Sequence, residues 1–204
     1  MKKIFVISLA RSEDRREHLL REITKIQDVR ISIEFFNAVD ARNNEHLRFR
    51  KHCIKSLTKC YLGRDLTDAE KGCFASHYCL WQKCVEMNEP IIVMEDDVDF
   101  ADSFREGIER IYNSHYGYVR LRGTESKKVC MIEEHFGIAH FGLVGTQGYY
   151  LTPKVALKFL HKARFWLWPV DDYMDKSYIN KVPNMVHLPY LLNDKNLFES
   201  TIDA

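Results

Sequence analysis

Apolar residues occur along the chain in two kinds of pattern. The continuous run Ile4–Leu9 has the length of a strand and predicts one that is buried on both faces. After it, apolar residues recur at three- and four-residue steps, at Leu19, Leu20, Ile23 and Ile26. This spacing predicts a helix with one apolar stripe, and the run at 31–36 predicts a second strand. The three segments together form a strand–helix–strand unit with a right-handed crossover.

The pattern continues through the rest of the chain. Thr67 and Glu70 have the spacing of a capping box and predict a helix that runs to about Met87. Thr152-Pro153 predicts the start of another helix. Further strands are predicted at 91–94, 118–121, 145–151 and 186–192. Strands that alternate with helices indicate an α/β fold with a mostly parallel sheet flanked by helices.

Length and charge narrow the function classes. The 204 residues predict a single domain over 1–204, and the net charge of +1 argues against a nucleic-acid partner. One segment differs: about 41–64 holds seven basic residues (42, 48, 50, 51, 55, 59 and 64) against one acid, Glu45. We interpret it as a basic helical insert. It is either a solvated surface or a contact for an anionic acceptor or the inner face of a membrane.

The chain contains no apolar run of the roughly 20 residues that a membrane-spanning helix needs. Its first apolar run is short and is followed at once by the charged segment 11–16, which argues against a signal peptide. The six cysteines form no CxxC pair, as expected of free thiols in a reducing compartment. We therefore expect a cytoplasmic protein.

An acidic cluster follows the predicted strand at 91–94. Glu95, Asp96, Asp97 and Asp99 place four carboxylates within five residues, at the end of a strand where α/β proteins bind ligands. Such carboxylates suit a hard divalent cation such as Mg²⁺ or Mn²⁺. The alternative is an acidic loop paired with Arg105 or Arg110.

The first strand-to-helix turn offers groups that bind anions. Arg11 and Arg15 lie at or near a predicted helix N-terminus, where backbone amides and guanidinium groups can hold phosphate oxygens. The alternative is that these arginines form surface ion pairs on the helix. The turn has neither a Gly-x-Gly-x-x-Gly nor a Walker sequence, so a Rossmann dinucleotide or P-loop site is not expected.

Several short motifs occur in a fixed order over nearly the whole chain. They are Leu9-x-Arg11-x-x-Asp14-Arg15, Phe36-x-Ala38-Val39-Asp40, Glu70-x-x-Cys73-x-x-Ser76-His77-x-x-x-Trp81, Ile92-Val93-Met94-Glu95-Asp96-Asp97-Val98, Gly148-Tyr149 and Val170-Asp171-Asp172. This array resembles glycosyltransferase family 25, the lipooligosaccharide galactosyltransferases of Gram-negative bacteria, and is similar to the collagen galactosyltransferases of animals.

The resemblance implies a GT-A type, Rossmann-like fold, a UDP-sugar donor (most often UDP-galactose) and inversion at the anomeric carbon. It also implies that Asp97 and Glu95 bind Mn²⁺ or Mg²⁺, and we consider His187 a further metal ligand. Asp99 lies outside the motif and is a weaker candidate. The residues expected around the donor are Ser8, Leu9, Arg11, Arg15, Ala38, Asp40, Ser76, His77, Glu95, Asp96, Gln147, Gly148 and Tyr149. For His77 the alternative is a buried histidine that ties a helix to the sheet.

Transfer needs a carboxylate that accepts the proton of the acceptor hydroxyl. Asp171 and Asp172 are the candidates, with Asp171 preferred, although either one could instead cap the following helix. Trp166 and Trp168, just before them, are either core residues or a stacking surface for a sugar ring. The expected acceptor is a lipooligosaccharide or lipopolysaccharide core.

Two other functions remain open. One is a metal-dependent phosphohydrolase that uses the acidic cluster and needs no acceptor. The other is a non-catalytic module that binds a sugar nucleotide.

Overall fold

The first apolar run of the chain forms a strand that lies next to the edge strand of an eight-stranded sheet. The structure is a computed structural model that describes residues 1–26, 28–123, 128–140, 142–143 and 145–194. Its strands are β1 (Lys2–Ser8), β2 (Ile31–Asn37), β3 (Ile91–Glu95), β4 (Val98–Phe100), β5 (Tyr118–Arg120), β6 (Val129–Glu133), β7 (Phe136–Ala139), β8 (Gly148–Leu151), β9 (Met185–His187) and β10 (Leu192–Asp194). Its α-helices are α1 (Glu13–Ile26), α2 (Lys55–Leu62), α3 (Asp68–Met87), α4 (Phe104–Asn113), α5 (Pro153–Lys162), α6 (Val170–Asp175) and α7 (Ser177–Asn180).

The main sheet has the order β2-β1-β3-β8-β5-β9-β7-β6, and β10 pairs with β4 in a separate two-stranded sheet. Strands β2, β1 and β3 are mutually parallel, whereas β8 is antiparallel to both of its neighbours. Of the eight strands found in the described residues, only β8 and β7 run against the direction of the others. The mostly parallel, Rossmann-like sheet is therefore confirmed, with an antiparallel strand at its centre.

Both faces of the sheet are covered by helices. Along β1, Ile4 and Val6 pack in the layer that contains Leu19 of α1, whereas Phe5 packs in the layer that contains Trp81 of α3. Successive side chains of a strand point to opposite faces, so a strand covered on both sides must be apolar throughout. This is why β1 and β3 are continuous apolar runs in the sequence.

The longest helix begins where its capping box predicts. Thr67 accepts a hydrogen bond from the amide of Glu70, and the Glu70 side chain accepts one from the amide of Thr67. The helix ends at Met87, and Asn88 follows in a left-handed conformation. Helix α3 thus runs across the sheet and brings Cys73, Ser76 and His77 to the edge where β1 and β3 end.

Two expectations on the local structure were wrong. The segment 186–192 is not one strand: β9 ends at His187 and β10 begins at Leu192, and the cis Leu188–Pro189 bond lies between them. The expected strand at 145–151 begins only at Gly148. The segment at 41–64 is helical, built from two 3-10 helices (Ala41–Asn43 and Glu45–His52) and α2, and its seven basic residues are all exposed.

Candidate functional site

The carboxyl ends of β1, β2 and β3 meet at one edge of the sheet and line a cavity of about 300 Å³. Its walls contain eleven of the residues expected from the sequence: Ser8, Leu9, Arg11, Arg15, Ala38, Asp40, Ser76, His77, Glu95, Asp96 and Asp97. A wider surface groove of about 700 Å³ along α4 contains none of them. The ends of the strands meet because parallel strands all end on the same side, and helix α3, packed on the sheet, adds Ser76 and His77.

The acidic motif carries more negative charge than its arginine neutralises. Nη1 of the buried Arg15 lies 3.1 Å from Oδ1 of Asp96 and 3.8 Å from Oδ2 of Asp97. The buried Oδ1 of Asp97 has no hydrogen-bond partner among the described residues. Burial and the neighbouring charge of Glu95 raise the pKa of Asp97 to about 7. An unpaired carboxylate oxygen beside two further acids fits a divalent cation held by carboxylates.

Glu95 is the last residue of β3, and it contacts Gln147, Thr146 and His77. Its amide donates to the carbonyl of Gln147 at 3.1 Å, and its carboxylate accepts from the hydroxyl of Thr146. Burial opposes ionisation, but the contacts with His77 and Thr146 and the charge of Arg15 hold the pKa of Glu95 below its usual value. Glu95 is therefore an ionised, fixed carboxylate beside Asp97.

The opposite wall is formed by the segment after β2. Arg11 forms an ion pair with Asp40, whose carboxylate also accepts from the amide of Arg42 at 2.9 Å. Although burial opposes it, Arg11 lowers the pKa of Asp40. The hydroxyl of Ser76 accepts from the amide of Val39 at 2.9 Å and so joins α3 to this wall.

His77 is fully buried beneath the cavity. Its Nδ1 lies 2.9 Å from the hydroxyl of Tyr149, which accepts from Nε1 of Trp81 at 3.0 Å. Its Nε2 lies 3.5 Å from Oε1 of Glu95. His77 therefore ties the helix to the sheet, as the alternative interpretation holds, and also lines the cavity.

The segment 147–149 lies away from the cavity wall. Tyr149 is buried under His77, and the carbonyl of Gln147 supports Glu95. Gly148 has a close neighbour, but that neighbour is the side chain of Leu192: a Cβ on Gly148 would lie 2.2 Å from its Cδ1. Gly148 thus packs against Leu192, and its place near the donor stays a prediction.

Asp171 and Asp172 form the first turn of α6, outside the cavity wall. Asp171 is half-buried, and its Oδ2 lies 3.4 Å from the amide of Gly145. The charge of Asp171 also affects Cys73, which lines the cavity: burial, followed by the charges of Glu95 and Asp171, raises the pKa of the Cys73 thiol. Asp172 is exposed, and its pKa is raised by partial burial and by Asp171.

His187 and Asp99 have partners of their own. His187 is buried on β9, with Nδ1 2.9 Å from the carbonyl of Pro189 and its ring stacked on His135 at 5.5 Å. Asp99 lies on β4, 2.7 Å from Nε2 of His18. Neither residue lines the cavity, and the buried Nε2 of His187 has no hydrogen-bond partner among the described residues. Trp166 is a core residue stacked on Phe74, with ring centroids 4.4 Å apart.

Comparison with known proteins identifies the family. The model described as glycosyltransferase family 25 (LPS biosynthesis protein) matches residues 1–141. The chain belongs to glycosyltransferase family 25. A glycosyltransferase 25 family member of Aedes aegypti is 31% identical over 196 residues, which are 89% of this chain and 31% of that protein. A procollagen lysyl hydroxylase and glycosyltransferase of Acanthamoeba polyphaga mimivirus is 34% identical over 126 residues, 57% of this chain and 14% of that one.

Some family 25 relatives are named as inactive. Inactive glycosyltransferase 25 family member 3 of Homo sapiens is 38% identical over 113 residues, 53% of this chain and 18% of that protein. The chain spans less than a third of the length of these relatives. Among solved structures, the inositol-1-phosphate CTP transferase from T. maritima superimposes with a TM-score of 0.49 at 11% identity, covering 92% of this chain and 85% of that one.

Sequence reasoning missed some residues that shape this family 25 site. Thr146 has no motif of its own, and only the fold brings it to Glu95. The buried pair Arg120–Asp175, with a 2.6 Å contact, also holds the carbonyls of Leu143 and Gly145. The one available signal was an arginine inside an apolar strand, since a buried charge needs a partner. Cys73 lies within the motif that begins at Glu70, and only the fold shows that it lines the cavity.

Proposed function

We propose that this chain is a metal-dependent inverting glycosyltransferase that moves a sugar, galactose by preference, from a UDP-sugar to a lipooligosaccharide or lipopolysaccharide core acceptor. The observation that supports it is the cavity at the ends of β1 and β3, which brings Arg11 and Arg15 to the same space as the carboxylates of Glu95 and Asp97. Family membership supports the reaction class, and the family's description as an LPS biosynthesis protein supports the acceptor.

The carboxylates would bind the metal ion, and the arginines would contact the phosphates or hold the carboxylates in position. Asp97 and Glu95 would hold Mn²⁺ or Mg²⁺, an ion that when bound offsets the charge growing on the leaving diphosphate. Arg11, at the rim, has a guanidinium that can hold phosphate oxygens. Arg15 keeps Asp96 and Asp97 in place. The segment Ala38–Asp40, tied down by Ser76, would form the wall for the nucleoside.

A carboxylate of α6 would act as general base. Asp171 is the better candidate because it is half-buried and its charge acts on Cys73 in the cavity wall, whereas Asp172 is exposed. It would accept the proton of the acceptor hydroxyl as that oxygen attacks the anomeric carbon from the face opposite UDP. The exposed basic segment at 41–64 contributes Arg42 to the cavity wall and suits an anionic acceptor.

The location of the reaction is part of the proposal. Within the described ranges, the structure contains no helix of the length and apolarity required to traverse a bilayer. A cytoplasmic enzyme that contacts the inner face of the inner membrane through its basic segment would meet a lipid-linked acceptor.

The test is UDP release by the purified chain with Mn²⁺, using UDP-galactose, UDP-glucose and UDP-N-acetylglucosamine in turn. Each donor is measured with and without EDTA and with and without a lactosyl acceptor. We expect one donor to give release that needs the metal and increases with acceptor, and Asp97→Ala to abolish it. Asp102→Asn, which removes an exposed acid outside the cavity, should keep the wild-type rate.

The inactive relatives motivate a second candidate, a module that binds a sugar nucleotide without transfer. This candidate predicts UDP binding with no release from any donor, and no difference in release between the wild type and Asp97→Ala. That result would overturn the transferase proposal.

A further inference from the structure

Helix α3 carries a thiol and an imidazole that face the same carboxylate. Cys73 and His77 are four residues apart, so their side chains lie on one face of the helix, and both point to Glu95 at the end of β3. One ligand atom from each residue lies within 4.8 Å of the other two. All three residues line the cavity of about 300 Å³, which leaves room for an ion and a water molecule.

A buried nitrogen in this group lacks a hydrogen-bond partner. His77 is 0% exposed, and its Nε2 has no partner within the described part of the chain, since Oε1 of Glu95 is 3.5 Å away. An unsatisfied buried nitrogen is costly, so native proteins usually pair it with a ligand or another group. The other ring nitrogen lies 2.9 Å from the hydroxyl of Tyr149. A metal-bound histidine generally has such an outer partner, which fixes the ring and leaves the second nitrogen for the ion.

The three metal-ligand groups, a thiol, an imidazole and a carboxylate, favour a different cation from the one that carboxylates alone would hold. Thiolate, imidazole and carboxylate are the ligands of Zn²⁺, whereas Mg²⁺ and Mn²⁺ prefer oxygen. Tetrahedral ligands at about 2.0–2.3 Å from zinc lie roughly 3.3–3.8 Å apart, so shifts of about 1 Å would close the three groups on an ion. The thiolate and the carboxylate would balance the two positive charges, and the thiol proton would pass to solvent.

We propose that Cys73, His77 and Glu95 form a zinc site in the wall of the donor cavity. The site has three protein ligands and a fourth position open to water. It shares Glu95 with the pair Glu95–Asp97, so zinc bound there competes with the ion that serves the donor. This consequence, inhibition by zinc, rests on the proposed function, whereas the binding site itself does not.

The first experiment measures metal binding without any substrate. Co²⁺ is added to the metal-free chain, because it binds at zinc sites and, unlike Zn²⁺, gives visible absorption bands. We expect thiolate-to-cobalt charge-transfer absorption, together with the intense visible bands of a four-coordinate ion, and both should disappear when Zn²⁺ is added. Asp97→Asn should keep the charge-transfer absorption, because Asp97 is not one of the three proposed zinc ligands. A wild-type spectrum without this absorption would overturn the proposal.

Matched variants identify the thiol. Cys73→Ser should lose the charge-transfer absorption, whereas Cys79→Ser, on the same helix but outside the group, should keep it. The double variant Cys60→Ser/Cys130→Ser, which removes the two exposed thiols, should also keep it. Retention of the absorption by Cys73→Ser would contradict the assignment.

A measurement on the wild type covers the case in which Cys73→Ser fails to fold. The chain is alkylated with iodoacetamide with and without Zn²⁺, and each cysteine is followed by mass spectrometry. We expect zinc to slow alkylation of Cys73 at least tenfold while the rate at Cys79 changes less than twofold. Equal rates at Cys73 with and without zinc would overturn the proposal.

The inhibition is tested in the UDP-release assay. The zinc concentration that halves activity should increase at least tenfold in Cys73→Ser, relative to the zinc-free rate of that variant. Cobalt absorption and zinc protection in a chain with no transferase activity would refute the proposed function alone. Transferase activity without either signal would refute the zinc site alone.

Discussion

The hydroxyl of Tyr149 lies 2.9 Å from Nδ1 of His77, and it connects strand β8 to helix α3 beneath the carboxylates of the cavity. Because the same hydroxyl accepts from Nε1 of Trp81, its removal leaves two buried nitrogens without a partner. We expect Tyr149→Phe to lower the free energy of unfolding by about 1–3 kcal/mol, measured by urea denaturation. The control is Tyr116→Phe, which removes a hydroxyl bonded to the exposed Glu133 and should cost less. Equal losses would contradict a buried network.

The pKa of Asp97 predicts how stability depends on pH without metal. In the unfolded chain an aspartate has a pKa of about 3.9, whereas in the folded chain the pKa of Asp97 is about 7. Between these values the folded state binds the extra proton, so the stabilising contribution is complete below about pH 4 and is lost as the pH rises through about 7. We expect urea denaturation in EDTA to show this fall for the wild type and a flatter profile for Asp97→Asn. A wild-type profile in Asp97→Asn would contradict the raised pKa.

The same pKa predicts the pH dependence of metal affinity. A metal must displace the proton from Asp97, so the affinity for Mn²⁺ should decrease as the pH falls below about 7. Calorimetric titration at several pH values measures this decrease. An affinity that stays constant down to about pH 5, near the usual range of carboxylates, would show that Asp97 is not the ligand whose proton is displaced.

The two aspartates of α6 should differ in their effect on turnover. A general base contributes roughly 10²–10⁴-fold, so Asp171→Asn should lower kcat by at least about 100-fold and leave UDP affinity nearly unchanged. Asp172→Asn, at an exposed position beside Lys176 and Arg64, should lower kcat far less. The measurements are steady-state UDP release and UDP titration. The reverse order would assign the base to Asp172, and wild-type rates in both variants would remove α6 from the chemistry.

Gly72 allows α3 to approach the wall of the cavity. A Cβ at this position would lie 2.7 Å from the backbone carbonyl oxygen of Val39, which cannot move without displacing Ala38 and Asp40. We expect Gly72→Ala to destabilise the protein by about 1–3 kcal/mol and to weaken UDP binding about tenfold, which corresponds to about 1.4 kcal/mol.

Gly107 on α4 provides the control for this change. A Cβ there would meet the side chain of Leu191, on the other face of the sheet. Gly107→Ala should therefore destabilise the protein while UDP affinity is kept. Equal loss of UDP affinity in the two variants would mean that overall stability, rather than the position of the wall, limits binding.

The sequence by itself determined the parts of this protein that depend on neighbours along the chain. The apolar run of β1, the capping box of Thr67 and Glu70 and the acidic residues after β3 are local signals, and each lies where its pattern predicts. Because parallel strands end at one edge, the same signals place Arg15 and Asp97 at one cavity, whereas His77 reaches it through the packing of α3 on the sheet.

Only the tertiary structure decided which atoms face that cavity. His187 and Gly148 lie outside the cavity wall, where Nδ1 of His187 contacts the carbonyl of Pro189 and Gly148 packs against Leu192. Thr146 reaches Glu95 across 51 positions of sequence, and Cys73 meets it across the interface between helix and sheet. Such contacts depend on packing between elements distant in sequence, because periodicity along the chain indicates the face on which a residue lies but not the partner that its side chain reaches.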